Sequence, residues 1–213
     1  MQCLLCQRPL ATKLSLAWLL SWQIQPRPRV CSTCWQSFMP IDEQACPGCG
    51  RSQLNRQPCP DCQRWGPTLN FHNRALFTLN DAMVAYLQRY KRQGDYRLRA
   101  VFSTIFGCAV ERIHADLVLI IPVTARALQI RGYHQVAGWF QPELGPVQLA
   151  LAEKKDPQPH PRHFRLTGDL SALVGKKVLL LDDQYDTGRT LRSAASLLLE
   201  SGAKSVVGLT LTR

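Results

Sequence analysis

Eight of the nine cysteines in this 213-residue chain fall within the first 62 residues, and they fall in pairs. Cys3/Cys6, Cys31/Cys34, Cys46/Cys49 and Cys59/Cys62 are four C-x-x-C turns. Such a turn sets two sulfurs on one side of a tight knuckle, and two knuckles complete a tetrahedral four-sulfur site for Zn²⁺. One pair carries little information; four in so short a stretch define the region. Nearest-neighbour pairing gives one ion Cys3, Cys6, Cys31 and Cys34, and the other Cys46, Cys49, Cys59 and Cys62. A cross-braced arrangement, first pair with third and second with fourth, uses the same turns, so the pairing stays open. The nine residues between Cys49 and Cys59 suit a short hairpin. With every position taken by sulfur, neither ion keeps a place for substrate. Two structural Zn²⁺ ions then replace a hydrophobic core that about 60 residues struggle to build. Trp35, Phe38 and Trp65 are small-core residues or stacking surfaces in this region. Cys108 stands alone in an apolar helical pattern and reads as a buried core thiol.

Charge needs the metals to be interpreted. The formal net charge is +11. Residues 1–65 hold seven Lys/Arg against three Asp/Glu. Eight thiolates on two Zn²⁺ offset that excess, because the thiolate is the ligand form. The basic surplus therefore belongs to residues 66–213, and it favours polyanions: nucleic acid, phosphates or acidic lipid headgroups. No run of about 20 apolar residues exists, so no spanning helix is expected. The apolar stretch LSLAWLLSW at 14–22 is too short. Cys3 and Cys6 stand where a signal peptide would carry basic residues. Cytoplasmic residence is the expectation.

The texture changes after Trp65-Gly66-Pro67, which marks a boundary between residues 1–65 and 66–213; QPRPR at 25–29 reads as a connector. FHNRALFTL (71–79) reads as a strand. Asn80 or Asp81 caps a helix from Ala82, and Asp95 caps another after Gly94. Leu98, Val101, Phe102, Ile105, Phe106, Ala109 and Val110 form its apolar stripe. Arg89, Lys91, Arg92, Arg97 and Arg99 read as a solvated basic face. DLVLIIPV (116–123) and VLLLDD (178–183) are buried-strand runs, SVVGLTLT (205–212) is a third strand, and 190–201 is a helix stopped by Gly202. Residues 141–175 carry no clear pattern. Buried strands alternating with helices define an α/β fold with a parallel sheet covered on both faces.

The second strand run leads into the chemistry. Asp182 and Asp183 end it, and Asp186-Thr187-Gly188-Arg189-Thr190 turns into a helix. In an open parallel sheet, ligands bind beyond the carboxyl ends of strands. Backbone N–H groups and the Thr187 and Thr190 hydroxyls suit a phosphate at the helix start. Adjacent carboxylates repel phosphate but suit sugar hydroxyls or Mg²⁺. Together these groups describe a site for a phosphorylated ribose.

VLLLDDQYDTGRT (178–190) resembles the phosphoribosyl pyrophosphate (PRPP) signature of type I phosphoribosyltransferases. The resemblance implies a type I phosphoribosyltransferase-like sheet domain, PRPP bound with Mg²⁺, and ribose hydroxyls on Asp182 and Asp183. It places the 5′-phosphate on Asp186, Thr187, Gly188, Arg189 and Thr190. Asp186 is similar to the aspartate of 6-oxopurine phosphoribosyltransferases that contacts the purine as a proposed general base. By the same resemblance, Val123, Thr124, Arg126 and Arg131 belong to a pyrophosphate loop after the strand at 116–121. The C-x-x-C pairs, YKRQGD (90–95), PVTARALQIRGYHQ (122–135) and the PRPP loop occur in the order found in the ComF family. There RGYHQ departs from the usual R-G-F-N-Q, with His134 in the Asn place; His134 reads as a polar surface residue. The family resemblance implies a double zinc ribbon ahead of the sheet domain. It also implies a role in DNA uptake during transformation, single-stranded DNA as a ligand and a helicase-like partner. Turnover of PRPP by a phosphoribosyltransferase reaction is the alternative.

Overall fold

A computed structural model describes residues 1–10, 28–65, 70–143, 145–151 and 164–213. The apolar stretch at 14–22, most of the 25–29 connector, the Gly66-Pro67 boundary and nearly all of 154–165 lie outside the described residues. Helix α1 spans Ser32–Gln36 and α2 spans Pro60–Trp65, each next to a cysteine pair. Strand β1 (Phe71–Phe77) leads to α3 (Asp81–Leu87), which widens into a π-turn at Gln88–Arg92. A 3-10 turn at Tyr96–Leu98 opens α4 (Arg99–Glu111). Strand β2 (Leu117–Ile120) is followed by α5 (Ala125–Arg131) and α6 (Gln135–Trp139). Strands β3 (Val147–Leu151) and β4 (Phe164–Gly168) form an antiparallel pair. Then come β5 (Lys177–Gln184), α7 (Arg189–Glu200) and β6 (Ser205–Thr212).

The main sheet is parallel throughout, in the order β1-β6-β5-β2. Period-2 alternation splits its apolar residues between two cores. Val178, Leu180 and Val206 face α7, where Leu191, Ala194, Ala195 and Leu198 are buried. Leu179, Leu181, Val207, Leu209 and Leu211 face the helices α3, α4 and α6. Both faces are covered, which is why β5 reads as an unbroken apolar run. The stretch 141–175, patternless in sequence, supplies the β3–β4 pair.

The helix starts differ from expectation in one place. Asn80 caps α3 by accepting from the Met83 N–H at 3.0 Å. Asp95 caps nothing; its carboxylate takes Arg89 at 3.2 Å and Arg97 at 2.9 Å, and the 3-10 turn starts the next helix instead. Cys108 is exposed rather than buried, because the stripe of α4 turns Phe102, Phe106 and Val110 inward and leaves position 108 outside. Between Cys49 and Cys59 there is no hairpin ladder. The Cys46–Cys49 knuckle closes by Cys46 N–H to Arg51 O (2.8 Å) and Gly50 N–H to Cys46 O (2.9 Å).

Candidate functional site: a cavity at the ends of β2 and β5

β5 runs on to Gln184, so both adjacent acids sit within it, buried at its carboxyl end. The Asp183 N–H donates to Asp182 Oδ1 at 2.9 Å. Burial, then the neighbouring Asp183, push the Asp182 carboxyl well above the ordinary carboxylate range. A cavity of about 330 Å³ opens between these acids and the loop after β2. Asp182, Asp183, Gln184, Asp186 and Thr190 form one wall, and Ile121, Pro122, Val123, Thr124, Ala127 and Arg131 the other. Seven expected residues therefore meet here: Asp182, Asp183, Asp186, Thr190, Val123, Thr124 and Arg131. Arg126 is exposed and stands outside the wall.

Two residues that sequence periodicity does not single out, Lys91 and Gln135, complete the lining. Lys91, expected on a solvated face, makes an ion pair with Asp183 Oδ2. That oxygen is buried and receives no aligned hydrogen bond among the described residues, so the ammonium is its one close partner. Periodicity hides Lys91 because the π-turn breaks the 3.6-residue repeat. The signal for it is the YKRQGD string.

The loop after β2 is held by its own residues. Thr124 caps α5 by accepting from Ala127 N–H at 3.2 Å, and Gly132 ends the helix at φ +79°. Arg131 turns back: Nε donates to Lys91 O at 2.9 Å and Nη1 donates to Gln135 Oε1. His134 is not a plain surface residue. Its Nδ1 accepts from Val136 N–H at 3.2 Å, so Nε2 carries the proton and donates to Ile121 O at 3.0 Å. It thus staples α6 to the end of β2. Burial holds its pKa below the ordinary value.

On the other wall, Gly188 precedes α7 at φ +82°. A Cβ there would strike the Tyr185 hydroxyl. Thr187 Oγ1 accepts from Arg189 N–H at 3.5 Å. Thr187 and Arg189 face a second cleft, of about 400 Å³, which Asp186 also lines. Arg51, Asp61, Arg64, Trp65 and Arg213 close it from the far side. Trp65 Nε1 donates to Thr187 O at 3.2 Å, tying α2 to the loop.

The cysteines form two groups as nearest neighbours: Cys3, Cys6, Cys31, Cys34 and Cys46, Cys49, Cys59, Cys62. Cys6 and Cys31 sulfurs are 3.7 Å apart, and Cys49 and Cys59 3.6 Å. A tetrahedron with Zn–S bonds of about 2.3 Å has edges of about 3.8 Å, so both groups fit Zn²⁺. In the second group all four cysteines are buried. Hydrogen bonding to Cys62 holds the Cys49 thiol down at about 4, and the same bond with burial pushes Cys62 far up. Four thiolates cannot share that volume without a cation, which is what a divalent metal supplies. Phe38 is buried in the core and packs edge-on to Phe102 at 4.9 Å, while Trp35 packs edge-on to Phe77 at 6.1 Å from a partly exposed position. Trp65 stays partly exposed under the Arg192 guanidinium, 5.3 Å from its ring.

An acid-ended central strand, a glycine-started helix and a cavity facing the next strand's loop define the phosphoribosyltransferase type of α/β domain. The phosphoribosyl transferase domain model matches residues 119–212. Preceded by two four-cysteine groups, this domain places the chain in the ComF family, to which it belongs by similarity over its full length. It is 34% identical to competence protein ComFC of Streptococcus pneumoniae (strain ATCC BAA-255 / R6), over 100% of each chain. It is 30% identical to competence protein ComFC of Bacillus subtilis (strain 168), over 99% of this chain and 94% of that one. Among solved structures, phosphoribosylpyrophosphate synthetase from Mycobacterium smegmatis matches 51% of this chain and 33% of its own, at 23% identity and TM-score 0.31.

Proposed function

We propose that this protein acts in DNA uptake during competence, as a cytoplasmic factor that binds single-stranded DNA or a helicase-like translocation partner and holds a phosphoribosyl ligand. In this reading residues 1–65 are the double zinc-ribbon platform and 66–213 the ligand-binding domain. The observation that carries it is the 330 Å³ cavity shared by Asp182, Asp183, Asp186 and Thr190. Asp182 and Asp183 take the ribose hydroxyls, and the amides of Asp186 to Thr190 at the start of α7 take the 5′-phosphate. The Val123–Thr124 loop and Arg131 take the pyrophosphate. The hard oxygen donors of the acid pair, one of them without an aligned hydrogen bond, fit Mg²⁺, which when bound with PRPP offsets the charge of its phosphates.

The cleft beside the phosphate loop supports the nucleic-acid half. Four arginines against two aspartates, with the partly exposed Trp65 indole, suit a phosphodiester strand and a stacked base. Calorimetry of PRPP with Mg²⁺ on wild type and Asp183→Asn tests the pocket. Binding lost in the variant is the expected result; equal affinity removes the assignment. Titration of single-stranded DNA at several salt concentrations tests the nucleic-acid half, a flat salt dependence counting against it.

The second reading is an active phosphoribosyltransferase, favoured by the position of Asp186 at the junction of both cavities. Asp186 would then receive a proton from a base nucleophile while PRPP loses pyrophosphate. Pyrophosphate release with a panel of bases decides it.

A further inference from the structure

The π-turn brings together groups that no part of the sheet domain's own motif explains. Lys91 projects into the cavity from it, with its side chain 27% exposed against 7% for Asp183. Its main chain is fixed from the other wall, since Arg131 Nε donates to Lys91 O at 2.9 Å. The neighbouring Arg89 donates to Leu5 O at 2.9 Å and Leu4 O at 3.0 Å, inside the Cys3–Cys6 knuckle, and Tyr133 Oη donates to Tyr90 O. The turn is thus tied at Arg89, Tyr90 and Lys91, and from it the Lys91 ammonium reaches Asp183. One ammonium faces two adjacent carboxylates on one side and the pyrophosphate-loop residues Thr124 and Arg131 on the other.

We infer that Lys91 is an exchangeable counter-ion: it neutralises Asp183 in the empty cavity and moves to the pyrophosphate when PRPP enters with its divalent cation. This rests on the phosphoribosyl reading of the cavity. The chemistry follows from charge. A lysine beside Asp183 repels a free divalent cation, so metal does not settle on the acids alone. When the cation arrives on the ligand it takes over the neutralisation of Asp183, and the released ammonium meets the most negative part of the ligand. Ligand and metal thereby bind as a unit.

Free Mn²⁺, followed by electron paramagnetic resonance, and PRPP–Mg²⁺, followed by calorimetry, read the two halves separately. Lys91→Met is expected to bind free Mn²⁺ about tenfold tighter than wild type. It is expected to bind PRPP–Mg²⁺ about tenfold more weakly, with Lys91→Arg recovering part of that loss. Lys91→Gln repeats both arms should the Met variant fail to fold, judged by two zinc per chain and an unchanged circular dichroism spectrum. Mn²⁺ affinity that does not rise overturns the counter-ion role. PRPP affinity that does not fall overturns the transfer to pyrophosphate. A wild type that binds no PRPP overturns the phosphoribosyl reading and the transfer with it, while the Mn²⁺ arm still decides whether Lys91 guards the acids.

Discussion

Arg192 Nη2 lies 3.8 Å from the Cys62 sulfur, while its Nε donates to the Tyr185 hydroxyl at 3.1 Å. A guanidinium on α7 therefore serves the second cysteine group and the tyrosine of the loop before that helix together. Arg192→Met removes a charge-assisted bond to sulfur and leaves Tyr185 Oη without its donor. Stability is expected to fall by about 1.5–3 kcal/mol in denaturant titration. Zinc is expected to leave the second group faster under a chelator, and an unchanged release rate counts against the link.

Gly188 is the residue the loop cannot replace. At φ +82° a side chain costs about 1–2 kcal/mol, and this one would also strike the Tyr185 hydroxyl. Gly188→Ala is expected to weaken PRPP binding by calorimetry. Adding Tyr185→Leu, which takes away the hydroxyl and the Cζ and Cε1 atoms that the new Cβ would meet, is expected to return part of it. A double variant no better than the single one counts against the contact.

His134 sets a pH dependence whose sign is fixed by burial. The folded state keeps the imidazole neutral, with Ile121 O and Asp183 favouring its charged form and Arg131 opposing it. The unfolded chain protonates near pH 6.5. Stability from this group is therefore full above about pH 6.5 and is lost as pH falls through the lower folded value. His134→Asn keeps a helix cap and removes the proton. Its unfolding midpoint is expected to fall less between pH 7 and pH 5 than that of wild type. His72, also held down by burial, is expected to account for a remaining slope.

Cys108 is the one exposed cysteine outside the two four-cysteine groups. In the zinc-loaded protein a thiol reagent is expected to modify it first, seen as a single labelled peptide at that position. Labelling spread over the first 62 residues would mean that those groups hold no metal.

What can be read in advance follows from how local each signal is. The β5 run, its two acids and the Thr-Gly-Arg-Thr loop are contiguous, so strand, turn and helix start lie open in thirteen residues. The partners of that loop are distant in the chain. Trp65 reaches Thr187 across 122 positions and Arg213 reaches Asp61 across 152, and no periodicity reports such meetings. Asp95 resembles a cap because an acid after glycine looks the same whether it meets backbone amides or two arginines. Cys108 resembles a core residue because one step along a helix, enough to leave the core, moves a residue by only about 100°.

The outer edge of β1 is occupied by the cysteine-bearing segment. Asn73 N–H donates to Gly48 O at 3.0 Å, Ile41 N–H to Leu76 O at 3.0 Å and Thr78 N–H to Met39 O at 2.8 Å. Those three bonds close a row of backbone groups that a bare border strand would offer to another chain. Loss of zinc therefore uncovers adhesive strand border as well as loosening a knuckle, and stripped protein should clump before it unfolds.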